Sequence, residues 1–127
     1  MEKYLKGLIE FLNKSYSSFH VIYNVKELLT KNGFAELKEE KGFKLEKGHK
    51  YFVTRNGSSI IAFNIGSDIK DYSFNIVASH SDSPTFKVMP NSDLSSSHYL
   101  RVSTDGYGGM FCSPRLERPL SIAGRVS

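Results

Sequence analysis

The sequence predicts an α/β fold in which N-terminal helices pack on a mixed β-sheet. Two stretches near the N-terminus carry apolar residues at helical spacing. Later stretches are rich in β-branched and aromatic residues, and turn-forming residues separate them. A chain of 127 residues is long enough to form one domain with a hydrophobic core.

The two predicted helices are separated by a polar stretch that runs from Asn13 to Ser18. The apolar residues at helical spacing are Leu5, Leu8, Ile9 and Leu12 in the first helix, and Val21, Val25, Leu28 and Leu29 in the second. Ser17 or Ser18 is available as the N-cap of the second helix. Asn32-Gly33 supplies a left-handed stop after it.

The predicted strands begin after the second helix. Three are Tyr51–Thr54, Ser59–Asn64 and Phe74–Ser79. Arg55-Asn-Gly-Ser is a strong hairpin turn, so the first two strands should pair antiparallel. The third strand is mostly apolar, which predicts burial on both of its faces. Another strand is predicted from Tyr99 to Ser103, after a flexible loop of small polar residues from Asn91 to His98.

Composition and charge limit the class of protein. No apolar run approaches the roughly 20 residues that span a bilayer, and the N-terminus lacks the apolar segment of a signal peptide, so we expect a cytoplasmic protein. The net charge is +4. Acidic residues are interleaved with the lysines, as in Glu36–Lys41, which favours a solvated face over a nucleic-acid-binding stripe. The single cysteine, Cys112, excludes an internal disulfide, and a buried or inert thiol is favoured over a catalytic one.

The most informative chemical signal is a His-x-Asp pair formed by His80 and Asp82. The predicted buried strand would deliver His80 to its carboxyl end, where α/β proteins place their ligands. Asp82 is close enough in the chain to orient an imidazole that binds metal. Metal binding is therefore the first functional hypothesis, and the pair is half of a site because catalytic zinc usually takes three protein ligands.

Four segments of the chain are unusual in combination. They are Ser17–Phe34, in which a Phe-His pair precedes an amphipathic run, the hairpin Tyr51–Phe63, the His-x-Asp segment Ile76–Pro84, and the glycine-containing segment Tyr107–Val126. In this order they resemble the aspartyl aminopeptidase family of metallopeptidases, and the resemblance runs nearly from end to end. It implies a zinc-dependent exopeptidase that removes N-terminal residues, often acidic ones, from peptides.

The resemblance also implies roles for particular residues. A complete site would hold two Zn²⁺ ions, with His80 as a metal ligand and Asp82 as the catalytic residue that fixes the imidazole tautomer. Peptide substrates and a homo-oligomeric full-length enzyme are expected, without a nucleic-acid or membrane partner. The family position of His20 invites a role near the active site or a neighbouring subunit, while a structural hydrogen bond is the simpler interpretation. Related enzymes often have a histidine where this chain has Ser113, so a role attached to that histidine does not transfer.

Family enzymes are several times longer than this chain. The resemblance therefore implies that residues 1–127 form the N-terminal part of a catalytic domain, ending near the start of an inserted dimerisation domain. The other metal ligands and a general-base glutamate are expected beyond Ser127, so the fragment alone should be inactive. Two alternatives remain: a noncatalytic assembly or binding module with a peptidase-like fold, and an isolated folding unit with no function of its own.

Overall fold

The computed structural model describes residues 2–68, 73–96, 98–109 and 111–126. The helices are α1 (Glu2–Lys14), α2 (Ser18–Lys31) and α3 (Ser113–Leu116), and the strands are β1 (Ala35–Leu37), β2 (Lys50–Arg55), β3 (Ser59–Asn64), β4 (Thr85–Ser96) and β5 (Tyr99–Tyr107). The chain divides into two compact units, one formed by Met1–Ser81 with Ala123–Ser127 and the other by Asp82–Ile122. Helices combined with a mixed sheet confirm the predicted α/β class.

The two long helices lie where helical spacing predicts them, and α2 ends at the predicted stop. Gly33 has a φ of 79°. Its backbone N–H donates to the carbonyl of Thr30, and the N–H of Phe34 donates to the carbonyl of Leu29, each at 3.1 Å. This pair of bonds is a Schellman motif, which needs a residue in the left-handed region and so favours glycine. Within the described ranges, no helix has both the length and the apolar character needed to cross a membrane.

The first unit contains a mixed sheet of β1, β2 and β3 in that order. β1 runs parallel to β2, with Ala35 opposite Tyr51. β2 and β3 pair antiparallel over their full lengths. Asn56 and Gly57 in the turn between them have φ values of 53° and 67°, the two positive values that a type I′ hairpin turn requires. The predicted hairpin is confirmed.

The core of this unit is small. Ile22, Tyr51 and Phe52 are the buried hydrophobic residues among those described. The ring of Tyr51 packs against that of Phe63 with 5.9 Å between centroids, and its phenol oxygen accepts a hydrogen bond from the backbone N–H of Glu46 at 3.0 Å. Tyr51 therefore anchors the connection between β1 and β2, residues 38–49, to the sheet.

Ion pairs on the surface hold the segment around β1. Lys26 on α2 lies 2.7 Å from Glu36 on β1. Arg55 donates two hydrogen bonds to Glu39, from Nη2 to Oε1 at 2.7 Å and from Nε to Oε2 at 3.2 Å. The Arg55 hydrogen bond holds the pKa of Glu39 below its usual range. The Arg55–Glu39 pair is exposed and the Lys26–Glu36 pair is half-buried at the surface. Surface pairs contribute little to stability, so these two mainly fix the position of the chain around β1.

The second unit contains an antiparallel ribbon formed by β4 and β5. Thr85 opposes Tyr107 at one end of the ribbon, and Ser96 opposes Tyr99 at the other. The register shifts in the middle of β4, near Asn91, whose φ is 58°. Irregularities of this kind bend a strand without ending its pairing.

Two predictions from composition are wrong. Phe74–Ser79, predicted as a buried strand, has no regular secondary structure. Phe74, Ile76 and Val77 are 81%, 83% and 100% exposed. An apolar run becomes a buried strand only when other strands pair with its edges and other elements cover its faces, and both sheets of the described residues form without it. Residues 91–96, predicted as part of a loop, belong to β4. Asp93 to Ser96 pair with β5, which supplies partners for their backbone groups.

Candidate functional site

His80 and Asp82 lie in the irregular segment that precedes β4, and both side chains are exposed. The boundary between the two units falls between Ser81 and Asp82. Ser81, half-buried, donates a hydrogen bond from Oγ to the backbone carbonyl of Ser58 at 3.1 Å. The residue that follows His80 is thereby attached to the β2–β3 turn.

Asp82 is held within the second unit by Tyr107, the last residue of β5. The Tyr107 hydroxyl donates a hydrogen bond to Asp82 Oδ2 at 2.5 Å. Hydrogen bonds to an ionised acceptor are short and strong. This bond raises the pKa of Tyr107, and the negative charge of Asp82 raises it further because it disfavours a phenolate. Tyr107 therefore remains a hydrogen-bond donor at neutral pH.

The pairing of β4 with β5 explains how Tyr107 reaches Asp82. Tyr107 opposes Thr85, which follows Asp82 by three residues. The next residue, Gly108, has a φ of 75°, and a Cβ at this position would lie 3.4 Å from the Cα of Pro84. The positive φ favours glycine, and the absence of a side chain lets the backbone lie against Pro84.

We expect Gly108→Ala to destabilise this end of the ribbon by about 1 kcal/mol, because a Cβ in the left-handed region costs roughly 1–2 kcal/mol. Gly109→Ala is the matched control, since its φ lies outside that region and nothing lies within 4 Å of its added Cβ. Urea unfolding of both variants measures the two free energies of unfolding. Equal values would contradict the assignment of strain to Gly108.

The described side chains near His80 and Asp82 do not supply a full set of zinc ligands. Among residues 2–68, 73–96, 98–109 and 111–126, no three His, Cys, Asp or Glu side chains converge to hold a metal ion. His80 carries an imidazole, a common zinc ligand, and Asp82 carries a carboxylate of the kind that supports such a ligand. The described residues therefore fit one ligand and its supporting carboxylate, and they do not complete a zinc site.

The sequence leaves two interpretations for each of two other side chains, His20 and Cys112. His20 Nδ1 lies 2.8 Å from Ser17 Oγ, and Tyr16 packs edge-on to the imidazole at 5.8 Å between centroids. The structural hydrogen bond at the start of α2 is confirmed. Cys112 is exposed, so burial does not apply and an inert thiol is what remains of the favoured interpretation. The adjacent α3 contributes no buried residue, which leaves this segment without a core to cover the thiol.

Two residues with clear contacts were missed by sequence reasoning. Tyr107 is one, and the available signal was a tyrosine flanked by glycines at the end of a strand. The other is Arg125, whose Nη1 donates to the backbone carbonyl of Asn56 at 3.1 Å and whose guanidinium lies 4.7 Å above the Phe19 ring. Arg125 joins the hairpin turn to α2 within the first unit.

Comparison with known proteins agrees with the resemblance. The family profile described as aminopeptidase I zinc metalloprotease (M18) matches residues 11–127. A probable M18 family aminopeptidase 2 from Clostridium acetobutylicum is 46% identical over 127 residues, covering 98% of this chain and 29% of that protein. Aspartyl aminopeptidase 4 from Saccharomyces cerevisiae is 42% identical over 127 residues, covering 97% of this chain and 26% of that protein.

A solved structure is similar as well. The S. cerevisiae mApe1 dodecamer superposes with a TM-score of 0.68 at 29% identity, covering 84% of this chain and 25% of that chain. The chain thus spans less than a third of the length of each of these relatives. Since the profile matches nearly the whole sequence, the chain belongs to the M18 family of aminopeptidase I zinc metalloproteases.

Proposed function

We propose that this chain is part of a zinc-dependent aminopeptidase that removes N-terminal residues from peptides. The observation that carries the proposal is the M18 profile match, which includes the His-x-Asp segment. Because the chain spans 29% of the Clostridium relative, we assign the activity to a longer polypeptide, called here the longer enzyme. Residues 1–127 would form the N-terminal part of its catalytic domain, before an inserted dimerisation domain.

His80 is proposed as a zinc ligand and Asp82 as the residue that orients it. A neutral imidazole coordinates metal through one ring nitrogen, and an acceptor for the N–H of the other nitrogen fixes the tautomer. The complete site is proposed to hold two zinc ions, which when bound supply Lewis acidity toward water and the scissile carbonyl. The further ligands belong to the rest of the longer enzyme.

Substrate preference, assembly and location follow from the relatives as proposals. One relative is named an aspartyl aminopeptidase, which supports peptides with an acidic N-terminal residue as substrates. Another is a dodecamer, which supports a homo-oligomeric longer enzyme. We place the enzyme in the cytoplasm, without a nucleic-acid or membrane partner.

The proposal predicts metal-dependent release of N-terminal residues. The longer enzyme should release the first residue from peptides that begin with Asp, Glu or Leu, a chelator should stop the reaction, and added zinc should restore it. The released amino acids can be quantified by chromatography. Comparison of the three peptides also measures the preference for acidic residues.

The matched control is an N-acetylated Asp peptide, which an aminopeptidase leaves intact because the free amino terminus is missing. A zinc-loaded longer enzyme that hydrolyses none of the unblocked peptides would contradict the proposal. That result would favour a noncatalytic assembly or binding module with the same fold.

A further inference from the structure

We infer that Tyr107 is a positioning residue that fixes the orientation of the Asp82 carboxylate, the group proposed to support His80. The inference rests on the proposed function of His80 and Asp82. Its own observation is the 2.5 Å hydrogen bond from the Tyr107 hydroxyl to Asp82 Oδ2.

The hydrogen bond from Tyr107 restricts the rotation of the Asp82 side chain. Asp82 is exposed and precedes β4, and an exposed side chain normally exchanges among staggered rotamers. A carboxylate accepts hydrogen bonds through both oxygens. When Tyr107 engages Oδ2, the plane of the carboxylate is set and the direction of Oδ1 is set with it. The carboxylate therefore loses less freedom when it accepts a further hydrogen bond.

The position of Tyr107 is fixed by its own neighbours in the ribbon. It pairs with Thr85 as the last residue of β5. Gly108 follows it with a φ of 75°, where an added Cβ would lie 3.4 Å from the Cα of Pro84. Pro84 is two residues from Asp82, so the donor and the acceptor belong to chain segments that are paired and in contact. The ribbon therefore fixes the position of the Tyr107 phenol, and the phenol fixes the position of the Asp82 carboxylate.

A purely structural hydrogen bond would behave differently from a positioning one. It would affect unfolding of the ribbon and leave zinc affinity and kcat unchanged. An exposed hydrogen bond contributes little to net stability, because water replaces it in the unfolded chain. Zinc affinity and the division of an effect between kcat and KM therefore distinguish the two roles.

The test compares Tyr107→Phe with Tyr99→Phe in the longer enzyme. The first variant keeps the ring and removes the hydroxyl that bonds Asp82. The second removes a hydroxyl from the opposite end of β5, about 25 Å away along the strand. Chelator competition measures zinc affinity, and steady-state kinetics measures kcat and KM. We expect Tyr107→Phe to lower zinc affinity and kcat by about 10-fold with KM unchanged, and Tyr99→Phe to match the wild type.

Asp82→Asn supplies a second measurement. If Tyr107 acts through Asp82, adding Tyr107→Phe to Asp82→Asn should change zinc affinity less than Tyr107→Phe does in the wild type. Full additivity overturns the inference, as does a Tyr107→Phe enzyme with wild-type zinc affinity and kcat. A Tyr107→Phe variant that loses its fold in thermal melting shows a structural role and also overturns it.

Failure of the proposed function gives a different result. If the wild-type longer enzyme neither binds zinc nor hydrolyses peptides, the proposed function fails and this inference fails with it. If the wild type is an active zinc enzyme and Tyr107→Phe is unchanged, the inference alone fails.

Discussion

Replacing His80 with alanine in the longer enzyme should abolish peptide hydrolysis and lower the zinc content. Alanine removes the imidazole nitrogen of the His-x-Asp pair, and a catalytic zinc site that depends on three protein ligands does not keep its geometry with one ligand missing. Turnover of peptides that begin with Asp, Glu or Leu should fall below detection. Zinc per protein, measured by mass spectrometry, should fall in parallel.

Asp82→Asn should have a smaller effect because the side chain keeps its shape and loses its charge. Residues that support a metal ligand typically change affinity or activity by about 10- to 100-fold when replaced. This variant should therefore retain zinc and turn over slowly. Cys112→Ala is the control and should be nearly silent, since the exposed thiol has no assigned role. Full activity in His80→Ala would falsify the assignment of His80 as a ligand.

The 127-residue chain by itself should self-associate as its concentration rises. The apolar stripe on α1 is between 49% and 60% exposed; its residues are Leu5, Leu8, Ile9 and Leu12. β1 and β3 also lie at the edges of the sheet formed by the described residues of the first unit. Uncovered apolar surface and unpaired strand edges both favour association between copies. Light scattering over a concentration series should show the average mass rising from that of a monomer.

A pair of variants on α1 separates apolar association from charge effects. Leu8→Gln places a polar group in the stripe and should shift the onset of association to higher concentration. Lys6→Gln changes a residue outside the stripe on the same helix and should leave the onset nearly unchanged. A compact monomer across the whole series would contradict the prediction and indicate a self-sufficient domain.

The sequence correctly predicted those features of the fold that depend on interactions between neighbouring residues. Gly33 ends α2, and Asn56-Gly57 turns the hairpin, because each acts through φ angles and hydrogen bonds within a few residues. The strand predicted at Phe74–Ser79 is wrong because strand formation depends on residues that are distant in the chain. Apolar composition reports a tendency to be buried, whereas a strand exists only when another strand pairs with it.

In the candidate site, too, the sequence predicted the local features and missed the long-range contact. His80 and Asp82 were found because their chemistry and spacing are visible in the sequence. Tyr107 was missed because it lies 25 residues from Asp82, and only the register of β4 with β5 brings the two together. Sequence reasoning predicted part of β5 and placed a loop within β4, so it contained no register from which this contact followed.

The parallel pairing of β1 with β2 has a consequence for the order of folding. β2 and β3 are joined by a tight turn, and hairpins of this kind form in about 1–10 μs. β1 has only three residues, and residues 38–49 must close a loop before it reaches β2. The few hydrogen bonds of so short a strand do not by themselves offset that loss of chain entropy. We therefore expect β1 to join a hairpin that has already formed. The Asn56-Gly57 turn would then have to form before β1 can complete the sheet.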